Sequence, residues 1–459
     1  MLLVVVYIPQ PPSPDEMTYM SLAESMEHGS YSVWYGVYDP APIEVHRTHG
    51  YPAFLLAIRS ISSSKMLLRA VQATLHLLTL LIGVHYLRRS PLATYKANSF
   101  LFLMLPQLQL LYYVGQVFPE VLISFFLTAL ALSYTSHGVR PFHTVLRIVL
   151  LGAAFWVRPI VLLLPLFILI ADLLLLRGMA RLSAFKRHAI VALGFALVAP
   201  IPFGLWNLKS HGRFSPVPLT GSAVISNLGL WQLRLPGYGT IRYFQYNTFG
   251  REFIPWVDTS TAATYFAQYE AQWDRIEERA APYMSTADME RVPRMMEHPW
   301  LWATRSADYT VALDRAIAKE NLAMVKAEPF YYLVTRLYTA ARLWITNINL
   351  PMERTIYRVT PGVHPIVGRP QNASGWVMAC VPFAVTFFSF GLGLPFLMIS
   401  VWRNRRVWFE RRYLLYVIAY VWFVHIPMAI QSRYTVPVHV LAILCITLAL
   451  TDRSEPQVK

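Results

Sequence analysis

Cysteine is almost missing from this chain of 459 residues. Cys380 and Cys445 are its two, and both fall inside apolar runs, so neither a disulfide framework nor a cysteine zinc site is available. Charge is scarce as well: 14% of residues are Asp, Glu, Lys or Arg against 55% hydrophobic, far too apolar for a soluble chain of two or three domains. Internal repeats and low-complexity tracts are not evident. Met1 to Ile8 is apolar but lacks the basic leading region and small-residue cleavage site expected of a signal peptide. As helix that stretch extends about 12 Å against roughly 30 Å of hydrocarbon, so it cannot span, and it reads as a truncated first helix.

What is present is a series of long apolar runs and a surplus of basic residues. The net charge of +15 would suggest nucleic acid in a soluble protein. Here the basic residues cluster in short loops between apolar runs, which is the signature of membrane orientation and not of a nucleic-acid partner. Spans are expected near 67–87, 97–114, 119–136, 143–157, 160–176, 189–207, 375–402, 413–430 and 436–451. Parity decides whether the run through Arg158-Pro159 is one span or two. With two, the loops 88–96, 137–147, 177–188 and 403–412 share a side and carry 3, 2, 4 and 5 Lys or Arg, fourteen in all, against Arg158 and Arg433 opposite. That agrees with the positive-inside rule. The expected fold is therefore an all-α polytopic bundle of about nine to ten transmembrane helices. An N-terminal membrane module covers 1–207 with a first outer loop at 9–66, an extracytoplasmic insertion covers 208–374, and a C-terminal membrane module covers 375–459. Within the insertion, helical stretches are expected over Tyr265 to Ala281 and Leu301 to Lys326. Phe330 to Ile345 suits a helix lying at the headgroup level.

The outer segments carry the ionisable residues. Pro11-Pro12-Ser13-Pro14-Asp15-Glu16-Met17-Thr18-Tyr19 is a rigid turn feeding a helix to about His28. Ser13 and Glu16 have capping-box spacing, so Glu16 serves either the helix end or the chemistry. Asp15 falls where the helix dipole favours a carboxylate, and Tyr19 shares its face. Glu44-Val45-His46-Arg47-Thr48-His49-Gly50-Tyr51-Pro52 then leads into a short helix, Ala53 to Ile61, too brief to cross. Arg47 and His49 precede its N-terminus, where an anion is favoured; a lipid phosphate or ordinary headgroup contact both fit. Glu44, His46 and His49 also allow a divalent metal, without a fixed helical spacing to support one. Glu120, Arg158 and Arg433 lie at outer span ends, either as functional groups or as ion pairs. His76 and His85 read as helix-packing residues, and Asp172 with the inner-loop arginines as interface or topology residues.

One outer cavity could gather Asp15, Arg47, His49, Glu120, Arg158 and Arg433. An acid with several cations suits group transfer from a lipid phosphate: guanidinium groups grip the phosphate while a carboxylate takes a proton from the attacking group.

These motifs resemble the C-type glycosyltransferase superfamily, in particular its protein O-mannosyltransferase and aminoarabinose transferase branch, over nearly the whole chain. The resemblance rests on Pro14 to Tyr19, Arg47 to Pro52, Pro119-Glu120, Trp156-Val157-Arg158-Pro159, Trp206-Asn207 with Gly212-Arg213-Phe214, and Ser432 to Pro437. It implies an inverting glycosyltransferase with a polyprenyl-phosphate sugar donor and a lipid, protein or glycan acceptor. Asp15 would be the catalytic carboxylate, with Glu120 supporting it or binding acceptor. Glu16, Tyr19, Arg47, His49, Arg158 and Arg433 would contact donor phosphate or substrate, with no protein metal site assigned. The implied location is a bacterial plasma (inner) membrane, multi-pass, with the active site extracytoplasmic. This sequence departs from the family in its reduced first helix and in His49, where a proline is expected before Gly50-Tyr51. A transporter or flippase of lipid-linked sugars would use the same arginines without chemistry, and a non-catalytic subunit of a glycan assembly complex would bind donor without transfer.

Overall fold

The computed structural model describes residues 14–33, 35–36, 41–89, 92–135, 141–219, 274–286, 307–345, 384–427 and 434–452. Among the described residues there is helix and no strand, and the chain is an all-α membrane protein. Its first helices are α1 (Pro14–Glu27), α2 (Gly50–Arg59), α3 (Lys65–Leu87), α4 (Ala93–Met104), α5 (Leu108–Gly115) and α6 (Glu120–Thr135). Next come α7 (Pro141–Val157), α8 (Leu164–Leu175), α9 (Gly178–Val198) and α10 (Pro200–His211). After them follow α11 (Ala307–Ala327), α12 (Pro329–Arg342), α13 (Ala384–Arg403), α14 (Arg405–Glu410), α15 (Arg412–His425) and α16 (His439–Thr451).

Among the described residues, three helical stretches are long and apolar enough to cross a membrane: Lys65–Leu87, Gly178–His211 (α9 and α10 together) and Ala384–Arg403. Shorter apolar helices fill five of the other expected spans, at Glu120–Thr135, Pro141–Val157, Pro159–Leu175, Arg412–His425 and Val436–Thr451. The 16 residues of α6 extend about 24 Å, short of roughly 30 Å of hydrocarbon. Protein covers α6 and α16, which removes the need to match lipid thickness. Leu127, Leu130 and Ala131 of α6 and Val440 to Leu444 of α16 have no exposed surface. Helix α3 is inverted relative to a soluble helix, exposing Leu77, Leu78 and Leu81 while burying Gln72, His76 and Thr79. That distribution suits lipid outside and a polar-lined bundle inside.

The doubtful turn at Arg158 resolves as two helices. Arg158 is extended at φ −149°, ψ 118°, as a residue before proline prefers, and Pro159–Val161 makes one 3-10 turn before α8. Arg147, near the start of α7, and Asp172, near the end of α8, both interact with Tyr134 of α6. The chain must therefore reverse between them.

Three expectations are corrected. The single span 97–114 is broken after Met104, because Pro106 has no N–H to continue the helix; buried Gln107 takes up the gap, donating to the Leu103 carbonyl at 3.1 Å and to Ser389 Oγ at 2.8 Å. The basic loop 177–188 is helical from Gly178, so Arg181, Lys186 and Arg187 ride on α9. The helix expected from Phe330 exposes an apolar stripe of Phe330, Leu333 and Leu337, but Trp344 beyond it is buried against Phe390 and His439 and belongs to the core. The helix expected over Tyr265 to Ala281 is described from residue 274 only, and most of the insertion lies outside the described residues.

Asp172 locks α8, α9 and α15 together. With no exposed surface, it accepts from Arg412 Nε at 2.7 Å and from the hydroxyls of Tyr413 at 2.6 Å and Tyr416 at 3.2 Å, and it faces His188 Nε2 at 2.9 Å. Removing one member of such a buried pair leaves an uncompensated charge behind. Asp172→Leu is expected to lower stability by about 3–5 kcal/mol, read from thermal unfolding of the full chain in detergent.

Candidate functional site

Two ion-paired arginines, Arg47 and Arg158, meet at one end of the bundle. Pro14 starts α1 at a position where its missing N–H costs nothing, and Asp15 and Glu16 occupy the first turn, where backbone N–H groups favour carboxylates. Asp15 lies 3.3 Å from Arg47 Nη2, and Arg47 Nη1 lies 3.5 Å from Glu44. Across the cluster, Arg158 Nη2 donates to Glu120 Oε1 at 2.9 Å. Tyr19 joins the two arginines: its ring lies 5.4 Å from the Arg47 guanidinium, and its hydroxyl is within electrostatic reach of Arg47, Asp15, Arg158 and Glu120.

Buried polar contacts fix this arrangement from below. Tyr19 packs edge-on to Tyr51 at 4.9 Å. The Tyr51 hydroxyl donates to Gln72 Oε1 at 3.1 Å, and Gln72 Nε2 donates to the carbonyls of Val114 at 2.9 Å and Gln116 at 2.7 Å. Glu16 is not a cap alone: Lys65 Nζ, at the start of α3, donates to it at 2.6 Å. Ser13, its expected capping partner, lies outside the described residues. Arg69 Nε donates to the Gly115 carbonyl at 3.1 Å.

Burial sorts the carboxylates by what they can do. Asp15 keeps 28% of its side chain exposed, whereas Glu120 and Glu44 keep none and Glu16 keeps 6%. Asp15 is thus the carboxylate an incoming molecule can reach, and Glu120 is committed to Arg158. Glu120 Oε1 accepts from Arg158, and its Oε2 is buried without a partner. Burial works against the charge on Arg47, but Glu44, Tyr19 and Asp15 outweigh it and raise its pKa, so the guanidinium stays charged. Burial also raises the Tyr19 and Tyr31 hydroxyls above their ordinary range and keeps both neutral.

His49 does something other than face this cluster. It stacks on Tyr31 at 3.9 Å and meets Trp206 edge-on at 4.3 Å, with Trp156 and Phe203 closing the cage. Gly50 beside it is required: a Cβ there would come within 2.4 Å of the Trp156 backbone, so only glycine lets α2 approach the end of α7 this closely. Arg433 lies outside the described residues. No group of three or more His, Cys, Asp or Glu with metal-holding geometry occurs among the described residues, so the divalent metal has no ligand set there. The structure adds Glu44, Lys65, Tyr51 and Gln72 to the cluster. Glu44 was readable as a carboxylate three residues before Arg47, a spacing that also suits an ion pair within one turn, while Lys65 and Gln72 gave no signal beyond polarity in an apolar run.

Two solved structures are similar to this chain. Both are crystal structures of ArnT from Cupriavidus metallidurans. One, bound to undecaprenyl phosphate, is 11% identical with a TM-score of 0.39, covering 98% of this chain and 76% of that one. The other, in the apo state, is 13% identical with a TM-score of 0.39, covering 98% and 75%. No protein-family profile matches the chain, and no curated protein does.

Burial lowers the His49 pKa from 6.5 to about 4, so the folded state resists a proton that the unfolded chain takes up. Stability is then lost as pH falls from 6.5 towards 4 and does not change above that window on this account. His49→Phe keeps the aromatic packing and is expected to flatten the slope, as measured by melting temperature against pH. Gly50→Ala is expected to cost about 1–3 kcal/mol through the collision with Trp156, visible as a lower melting temperature at neutral pH.

Proposed function

We propose that this chain is an inverting glycosyltransferase that moves a sugar from a polyprenyl-phosphate donor to an acceptor at the outer, extracytoplasmic face of the membrane. The supporting observation is the reachable Asp15 carboxylate held beside Arg47, with the Arg158 and Glu120 pair adjoining through Tyr19. The motifs that place these residues along the chain support the same reading.

In this reading Asp15 accepts the proton of an acceptor hydroxyl or amine as that group attacks the sugar carbon. The bond from that carbon to the phosphate oxygen breaks on the opposite face, which inverts the centre. The electron pair leaves with polyprenyl phosphate, stabilised by guanidinium N–H donors; a phosphate needs no general acid to depart. Arg158 is the phosphate ligand in this reading, since its Nη2 alone donates to Glu120 and part of its side chain stays exposed. Glu120 then acts as a positioning residue through Arg158. The membrane fixes the donor by its chain, which confines the reacting carbon near the acceptor.

The test is turnover of polyprenyl-phosphate sugars by detergent-purified protein, followed as a mass shift on the acceptor. Asp15→Asn is expected to lose about 10²–10⁴-fold in kcat. Arg158→Gln is expected to act mainly on KM for the donor. Equal turnover by wild type and Asp15→Asn would remove Asp15 from the mechanism, and donor translocation without any mass shift would make the chain a flippase.

A further inference from the structure

The opposite end of the bundle holds a second polar cluster that the transfer chemistry does not use. Its one ion-paired carboxylate, Asp172, is taken up by Arg412 and faces His188. Two more guanidinium groups stand near it, each without an ion pair among the described residues. Arg147 of α7 is 4% exposed, donates to the Ser133 carbonyl at 2.7 Å and lies 4.2 Å over the Tyr134 ring, yet its Nε has no partner. Arg187 of α9, partly exposed, likewise has a buried Nε without a partner. Neither forms an ion pair among the described residues, and the two are close enough to repel each other. His188, between them and Asp172, leaves Nδ1 unbonded.

Like charges do not gather in a half-buried site unless something offsets them, and a buried N–H without an acceptor is unfavourable by itself. Tyr134, stacked on Tyr413 at 4.7 Å, lies under the Arg147 guanidinium. The Asp15 end differs: Asp15, Glu16, Glu44 and Glu120 there meet Arg47, Lys65, Arg69 and Arg158, and the charges balance. Further positive charge lies close by, with Arg177 just before α9 and Arg181 and Lys186 in its first turns all exposed.

We propose that Arg147 and Arg187, with His188 beside them, form a second anion site that binds a phosphate group, at the end of the bundle away from Asp15. Two guanidinium forks suit a phosphate, which accepts bidentate hydrogen bonds from each. The phosphate can come from an anionic lipid headgroup drawn to this basic end or from a soluble phosphate ester. The site is independent of the proposed transfer reaction.

The experiment uses the full chain in neutral detergent. Its melting temperature is followed against inorganic phosphate at constant ionic strength, set with chloride. A parallel series uses mixed micelles containing phosphatidylglycerol, with phosphatidylcholine as reference. A saturable rise in at least one series is expected, with Arg187→Gln needing about tenfold more ligand for the same rise and Arg187→Lys recovering part of it. Arg275→Gln, whose exposed ion pair with Glu320 lies in neither cluster, should respond as wild type does. A rise with phosphatidylglycerol alone assigns the lipid headgroup, and a rise with inorganic phosphate assigns a soluble ester. No saturable rise in either series, or an undiminished rise in Arg187→Gln, overturns the proposal. So does a rise that Arg47→Gln abolishes and Arg187→Gln keeps. Should Arg187→Gln fail to fold, Arg187→Lys with its altered geometry carries the same comparison.

Discussion

A guanidinium group placed where water is scarce must find an oxygen, and much of this molecule follows from that requirement. Arg158 finds Glu120, which ties the end of α7 to the start of α6. Arg412 finds Asp172, which ties the start of α15 to the end of α8. Lys96, almost fully buried, finds Asp452, which also receives Arg411, and so closes α4 against α16 and α15. Each pair pins a helix end, and pinned ends set how the apolar lengths between them lie. Apolar packing alone would leave such helices free to slide, because in lipid there is little hydrophobic penalty for doing so.

The two ends use this rule differently. At the Asp15 end, cations and carboxylates are matched, and the exposed members sit above the buried ones. A matched cluster with an accessible carboxylate suits proton transfer, because the acid can take a proton while its neighbours keep their charges. At the Asp172 end the carboxylate is buried and fully used, and the unmatched groups are cations. Such an end suits holding something in place more than transforming it.

Much of this was legible in the sequence, for a physical reason. Asp15, Arg47, Glu120 and Arg158 stood out because ionisable groups beside apolar runs are costly, and four of the six residues expected to gather do so. The reversal at Arg158-Pro159 was legible because proline restricts the residue before it and because basic loops have to share a side. What stayed hidden depended on close approach. Gly50 brings α2 against the Trp156 backbone, and His49 beside it sits in an aromatic cage; no spacing rule announces it. Gln72 and Tyr51 read as two polar atoms in apolar helices until the carbonyls of Val114 and Gln116 come into view. Pro106 was visible, but a proline inside an apolar run can either kink or end a helix, and only the packing of Gln107 on Ser389 decides it.

Helices α9 and α10, which meet at Ala199, together reach from one end of the molecule to the other. As helix, their 34 residues would extend about 51 Å if straight, well beyond the hydrocarbon. Arg187 and His188 lie on the first, and Trp206, against which His49 packs, lies on the second. Ala199, at φ −136° and ψ −73°, interrupts the pair just before Pro200. The rod is thus a strut with one joint. Anything that shifts its lower half must either bend that joint or push on the tryptophan wall behind the Arg47 loop, so Ala199 and Pro200 decide whether the two ends feel each other.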